Sequence, residues 1–102
     1  MLNQVVIVGR LARTPEEIIL GENKKGLYIT LAVQRSYKNE EGRYDTDFIS
    51  TLCLGNLGEK VLNYCKVGDL IGIKGRLEVR NNLNIIAEKL TFLSSSNRQE
   101  VE

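Results

Sequence analysis

Phe48 to Ile73 reads FISTLCLGNLGEKVLNYCKVGDLIGI, and three kinds of local order succeed one another within it. Phe48 to Gly55 is dense in β-branched and other apolar residues, which predicts a strand. After Gly55 the apolar spacing lengthens. Leu57, Val61, Tyr64 and Cys65 stand at i, i+4, i+7 and i+8, one face of a short helix. Asn56 is placed to cap that helix and Gly68 to stop it. From Leu70 the alternation returns, with Ile71, Ile73, Leu77 and Val79 expected inward and Lys74, Arg76, Glu78 and Arg80 outward. One helix is thus set between strands.

The flanks are β in character. Val5-Val6-Ile7-Val8 suits a strand buried on both faces, and Gly9 after it marks a bulge or sharp bend. Thr14 to Glu17 breaks the pattern, and Gly21 to Gly26 reads as a polar loop. Leu27, Ile29, Leu31 and Val33 then alternate with Tyr28, Thr30, Ala32 and Gln34, a half-exposed strand. Tyr37 to Asp47 (YKNEEGRYDTD) reads as a charged turn region. Asn81-Asn82 predicts a two-residue hairpin turn into a return strand over Leu83 to Leu93.

Three strands, a helix and two strands is the order of an all-β fold, the five-stranded Greek-key OB-fold barrel with one short helix between strands 3 and 4. The bent first strand fits, since one strand must serve both halves of such a barrel. On pattern alone an SH3-like barrel and an α+β sheet stay open. Residues 1–93 form the expected domain, and residues 94–102 a short polar tail.

Composition removes whole classes of function. With 102 residues there is room for one domain. The absence of histidine removes the commonest general base and metal ligand, and with it Ser-His and Cys-His pairs. Lys and Arg number 14 against 13 Asp and Glu, so no strongly basic balance announces nucleic acid. The Val5–Val8 run falls far short of the ~18 residues of a membrane span and lacks the flanks of a signal peptide. Cys53 and Cys65, set among apolar neighbours, read as reduced core thiols of a cytoplasmic protein. The acidic pairs Glu16/Glu17, Glu40/Glu41 and Asp45/Asp47 lie in loops with no His or Cys converging on them, so neither catalysis, a metal nor a cofactor is expected.

Two sets of outward residues remain. Tyr28, Tyr37, Tyr44 and Phe48 lie on or beside the second and third strands, where bases could stack on them without sequence preference. The plainer reading makes Phe48 a core residue and the tyrosines ordinary strand formers. Lys74, Arg76 and Arg80 share one strand face, and Arg35 and Lys38 flank Tyr37. Guanidinium groups pair with phosphate and stack on bases, although a charged strand face is more often merely solvated.

Four collinear blocks are more specific: LNQVVIVGRLARTPE, ITLAVQRSYKNEEGRYDTDFISTLCLG, GEKVLNYCKVGD and GIKGRLEVR. Together they closely resemble the bacterial single-stranded DNA-binding proteins, from Met1 to about Leu93. The resemblance implies an OB fold that holds single-stranded DNA by stacking and phosphate contacts, in a homo-oligomer with a tetramer favoured over a dimer. It implies a nucleoid-associated role in replication, recombination or repair. Carried over by position, Tyr37 and Phe48 are stacking residues, and Arg76 and Arg80 line the DNA path. Arg35, Lys38, Lys74 and Tyr28 complete the expected DNA-binding set. Asn3, Gln4, Val5, Val6, Ile7 and Val8 fall where first strands pair between subunits.

The departures from the family pattern count too. Leu54 and Asn82 stand where many members carry aromatics, the turn at Asn81-Asn82 is short, and no acidic, Phe-terminated tip for recruiting repair proteins ends the chain. These departures favour an alternative, an OB-fold adaptor of the primosomal replication kind that joins a helicase to DNA.

Overall fold

A computed structural model describes residues 1–22 and 24–94; the expected tail lies, from residue 95 onward, outside the described residues. The elements are β1 (Val5–Leu11), β2 (Glu16–Gly21), β3 (Lys24–Lys38), β4 (Tyr44–Leu54), α1 (Leu57–Tyr64), β5 (Leu70–Arg80) and β6 (Asn82–Ser94). Their order in the sheet is β1-β5-β6-β4-β3-β2, and a further β1–β3 pairing closes five of them into the expected barrel. Closure comes at one end of β1. Val5 to Arg10 pair antiparallel with β5, while Arg10 and Leu11 also face Ala32 and Leu31 of β3. Opposite, β4 and β6 meet in a short parallel contact at Thr51↔Ile85 and Leu52↔Ile86.

Odd-numbered residues of β3 and β4 point inward, so Ile29, Leu31 and Cys53 join Ile7, Leu11, Ile71, Ile73 and Ala87 in one core. Helix α1 adds the fully buried Val61. It lies so close to β3 that a Cβ on Gly58 would come within 2.4 Å of the Leu27 side chain. Asn56, expected to cap α1, sits in helical backbone geometry and makes no side-chain capping bond. The chain instead turns into the helix at Gly55, whose φ of 63° is left-handed.

Several further expectations are corrected. The described residues form six strands, because Glu16–Gly21 pairs with β3 from Glu16↔Tyr28 to Gly21↔Lys24. This ribbon half-buries only Ile18 and Leu20, too little periodicity to read as a strand. Tyr37 to Asp47 is largely a hairpin arm, with β3 running on to Lys38 and β4 starting at Tyr44. Its turn is built by Asn39, whose Oδ1 accepts the backbone N–H groups of Glu41 (2.8 Å) and Arg43 (3.0 Å). Finally, Leu77 and Val79 are 40% and 73% exposed rather than inward. Their parity is that of the core residues, but β5 has by then run past the barrel wall. The reversal beyond them is tighter than expected, with Arg80 paired to Asn82 and Asn81 alone at the apex at φ 65°.

β1 is buried on one face only. Ile7 belongs to the core and Val5 packs against it, while Val6 and Val8 are exposed. Gly9 permits the bend predicted for it, since a Cβ there would lie 2.6 Å from the Ala32 carbonyl oxygen. Gly75 is tighter still, at 2.2 Å from the Ile86 carbonyl oxygen, next to the register shift where β5 leaves the barrel. Gly75→Ala is therefore expected to cost about 1–3 kcal/mol of stability through backbone displacement. Gly72→Ala, where a Cβ meets nothing nearer than 3.6 Å, should be close to neutral. Urea unfolding midpoints of the two variants test this, and equal midpoints would reject the packing argument.

Candidate nucleic-acid interface

Even-numbered residues of β3 and β4 share the other face in register: Tyr28 opposite Leu52, Thr30 opposite Ser50, Ala32 opposite Phe48 and Gln34 opposite Thr46. Thr30 and Leu52 are buried there, and the row becomes exposed toward Phe48, Gln34 and Thr46. Phe48 is 64% exposed, so it is not a core residue. With only Ala32 across from it, its ring stands free on the sheet. Further along the same face a groove of about 440 Å³ is lined by Tyr28, Thr30, Ser50, Leu77, Leu83 and Asn84, among others. Its floor is polar but internally satisfied, with the Tyr28 hydroxyl donating to Asn84 Oδ1 at 3.4 Å and the Thr30 and Ser50 hydroxyls 3.1 Å apart. Exposed Leu83 lies opposite Val79 at the end of the β5–β6 arm. An open, rimmed strip of this kind offers planar and apolar surface to a flexible chain, not an enclosed cavity to a small molecule.

The expected cations fall into three places. Arg35 lies on the β3–β4 arm, where Nε and Nη2 donate to the Asp47 carboxylate at 3.0 and 2.9 Å, and Asp45 lies 3.7 Å away. The Asp47 contact, reinforced by the Tyr37 side chain, raises the Arg35 pKa. Tyr37 is exposed beside it, and the Lys38 ammonium sits 5.8 Å from the Tyr44 ring centroid. Arg76 and Arg80 lie together on the β5–β6 arm, as predicted, but not free. Arg76 reaches Glu88 (3.2 Å) and Glu78 (3.4 Å), and Arg80 donates to the other Glu78 oxygen. Lys74 stands apart from both, on the outer face of β5, with Val6 on one side and Lys89 directly opposite on the other. The sequence did not reveal these partners of the arginines: Asp47 and Glu88 reach them only through strand pairing.

The remaining chemistry is quiet. Burial pushes the Cys53 thiol up to about 12, and burial, with Asp69 nearby, raises that of Cys65. Both are free cysteines, and neither has the lowered pKa of a reactive thiolate. Among the described residues, no group of His, Cys, Asp and Glu converges as a metal site, and no helix is long and apolar enough to cross a membrane.

A closed five-stranded barrel with a polar groove, an exposed aromatic on its sheet and two projecting arms defines an OB-fold protein of the nucleic-acid-binding type. The chain belongs to the single-strand binding protein family, which it matches over residues 2–93. It is 33% identical to single-stranded DNA-binding protein 3 of Streptococcus agalactiae, covering 98% of this chain and 80% of that one. It is 36% identical to single-stranded DNA-binding protein A of Bacillus subtilis, covering 95% of this chain and 62% of that one. Among solved structures, the single-stranded DNA-binding protein of Thermus aquaticus superposes with a TM-score of 0.73 at 26% identity, over 96% of this chain and 52% of that one. A Plasmodium falciparum single-stranded DNA-binding protein, solved in complex with single-stranded DNA, shares the fold at a TM-score of 0.75 and 23% identity, over 92% of this chain and 96% of that one. The family consists of non-enzymatic proteins, in keeping with the lack of a convergent reactive centre expected from the sequence.

The arm electrostatics can be tested without DNA. The hydrogen bond from Arg35 holds the Asp47 carboxyl below its ordinary pKa, and Arg80 followed by Arg76 does the same for Glu78. A lowered folded-state pKa adds stability above the unfolded value, and that stability is lost as pH falls through the folded one. Carbon-detected NMR titration should find Asp47 ionising below the normal aspartate range, and Arg35→Met should return it upward. An unshifted Asp47 would mean that the arm pair does not persist in solution.

Proposed function

We propose that this chain binds single-stranded DNA without strong sequence preference, and so protects exposed strands during replication, recombination or repair. The observation that carries this reading is Phe48, presented 64% exposed on the β3–β4 sheet beside the groove of Tyr28, Thr30 and Ser50. A phenyl ring left uncovered on a sheet is costly to hydrate, and a base stacked on it recovers that cost. Tyr37 adds a second exposed aromatic farther along the β3–β4 arm, beside Arg35, which is held against Asp47. The names of the relatives, single-stranded DNA-binding proteins in each bacterium compared, support the same substrate.

Self-association belongs to the proposal. On the side away from β5, Val5 to Val8 pair with no other strand among the described residues, so that edge of β1 is open, with Val6 and Val8 exposed beside it. An open apolar edge invites pairing with another β-strand. We assign that role to β1 of a second copy, in a tetramer ahead of a dimer. Asn3 fits this reading by holding the start of β1 in place. Its side chain both donates to and accepts from the Leu77 backbone at 2.8 Å, leaving the opposite edge clear.

Tyr37→Ala and Phe48→Ala are each expected to weaken oligo-dT binding by about 1–3 kcal/mol, read by fluorescence titration, with duplex DNA bound far more weakly than single strands. Unchanged affinity in the double variant would remove stacking from the mechanism. Val6→Asp with Val8→Asp should lower the solution mass toward one subunit in sedimentation equilibrium. A wild-type mass of two subunits rather than four would favour the adaptor reading.

A further inference from the structure

The arginines expected to meet phosphate are already paired with carboxylates, which raises the question of where free positive charge meets the groove. A second recess on the barrel is lined by Leu20, Lys24, Lys25, Leu54, Gly55 and Arg80, with a volume of about 440 Å³. It lies where three hairpin features meet: the β2–β3 turn, the end of β4 and the tip of the β5–β6 arm. Its lining holds three cations and no carboxylate. Arg80 is tied to Glu78, whereas Lys24 and Lys25 make no ion pair among the described residues and are exposed. The other grooves differ. The Tyr28 groove balances Arg13 with Glu16, and a groove beside β1 has only Arg10, which donates to the Gly68 carbonyl at 2.9 Å.

The recess lies at the far end of the strand that carries Phe48. Leu54 and Phe48 occupy the same row of β4, about 20 Å apart at ~3.3 Å per residue, with Ser50 and the buried Leu52 between them. Across from Leu54 stands Gly26, whose missing side chain leaves Leu20 and Leu52 within 3.2 Å of where a Cβ would be. Leu20 and Leu52 fill the space over Gly26 and make a low apolar step between the Tyr28 groove and the lysines. An extended polyanion that lies along Phe48 and Tyr28 and crosses this step reaches two ammonium groups with no ion pair among the described residues.

We propose that Lys24 and Lys25 form the phosphate-binding end of the strand path and supply counterion-releasing contacts that Arg76, paired with Glu78 and Glu88, does not. This rests on the single-stranded DNA reading above and names which residues carry its salt dependence. Neutralising a phosphate costs an unpaired lysine nothing but solvation, whereas Arg76 must first leave two carboxylates. The occupant is the backbone of the same strand that stacks on Phe48, because the charge sign and the common row on β4 both favour it.

The test compares full-length wild type, Lys24→Gln/Lys25→Gln and Arg76→Gln on oligo-dT long enough to span the whole face, at several salt concentrations. Each lost phosphate contact lowers the slope of log K against log salt by about 0.7, so the double lysine variant should lose ~1.4 and Arg76→Gln much less. Lys24→Arg/Lys25→Arg should retain the wild-type slope, which separates charge from folding. Amine acetylation followed by mass spectrometry gives an independent readout, with oligo-dT expected to protect Lys24 and Lys25. An unchanged slope in the double lysine variant, with Phe48→Ala still weakening binding, overturns this inference and leaves the function standing. Protection of the lysines by poly-glutamate but not by oligo-dT overturns it in favour of an acidic peptide. Failure of wild type to bind oligo-dT at all overturns both.

Discussion

Everything in this molecule depends on β1 serving two neighbours at once. Its length pairs with β5, and its last residues, Arg10 and Leu11, turn onto Ala32 and Leu31 of β3. Without that second pairing the sheet would be open, and Leu11, Ile29 and Leu31 would lose the wall that buries them. The turn is possible because Gly9 carries no Cβ where the Ala32 carbonyl passes. A constraint of 2.6 Å at one backbone oxygen thus decides whether five strands enclose a core or lie as a sheet with two edges.

Closure also fixes what is left outside. A barrel of this girth uses only part of each long strand, so β3 and β4 overrun it at one place and β5 and β6 at another. Residues on these overruns keep the alternation of the strand but lose the core to face, and so Leu77, Val79 and Leu83 are exposed despite their pattern. Backbone pairing between its two strands holds each arm. Carboxylate–guanidinium pairs lie along it, Arg35 with Asp47 on one arm, Arg76 and Arg80 with Glu78 on the other. Exposed pairs of this sort add little stability, but they leave the arginines engaged.

This explains which parts were legible in the sequence. Where burial enforces a period, as in Leu27 to Val33 and Leu70 to Ile73, strand and face were readable, and the helix between strands identified the topology. Where no core selects residues, the signal fades. The β2 ribbon half-buries only Ile18 and Leu20, and the β3–β4 arm reads as a charged loop because its strands face water on both sides. The candidate site divides the same way. Phe48 and Tyr37 could be proposed from the resemblance, and the placement of Arg76 and Arg80 on one strand face from parity. The pairing state of the arginines could not, because Glu88 meets Arg76 and Asp47 meets Arg35 only across strands whose register the sequence leaves open.

The near balance of 14 cations and 13 anions takes on a physical meaning from this arrangement. Had all the cations been free, the surface would attract any polyanion, duplex or single-stranded, through charge alone. With the arm arginines held by carboxylates, a phosphate that approaches them must replace an anion already bound, and the exchange gains little. On the proposed reading the ring of Phe48 is different, since duplex DNA keeps its bases stacked inside and cannot offer them to it. Partial charge cancellation would then shift the binding free energy from the term every nucleic acid shares to the term only an unpaired base can supply. On that reading a neutral-looking composition, which by itself gave no argument for nucleic acid, becomes a means of discriminating one strand from two.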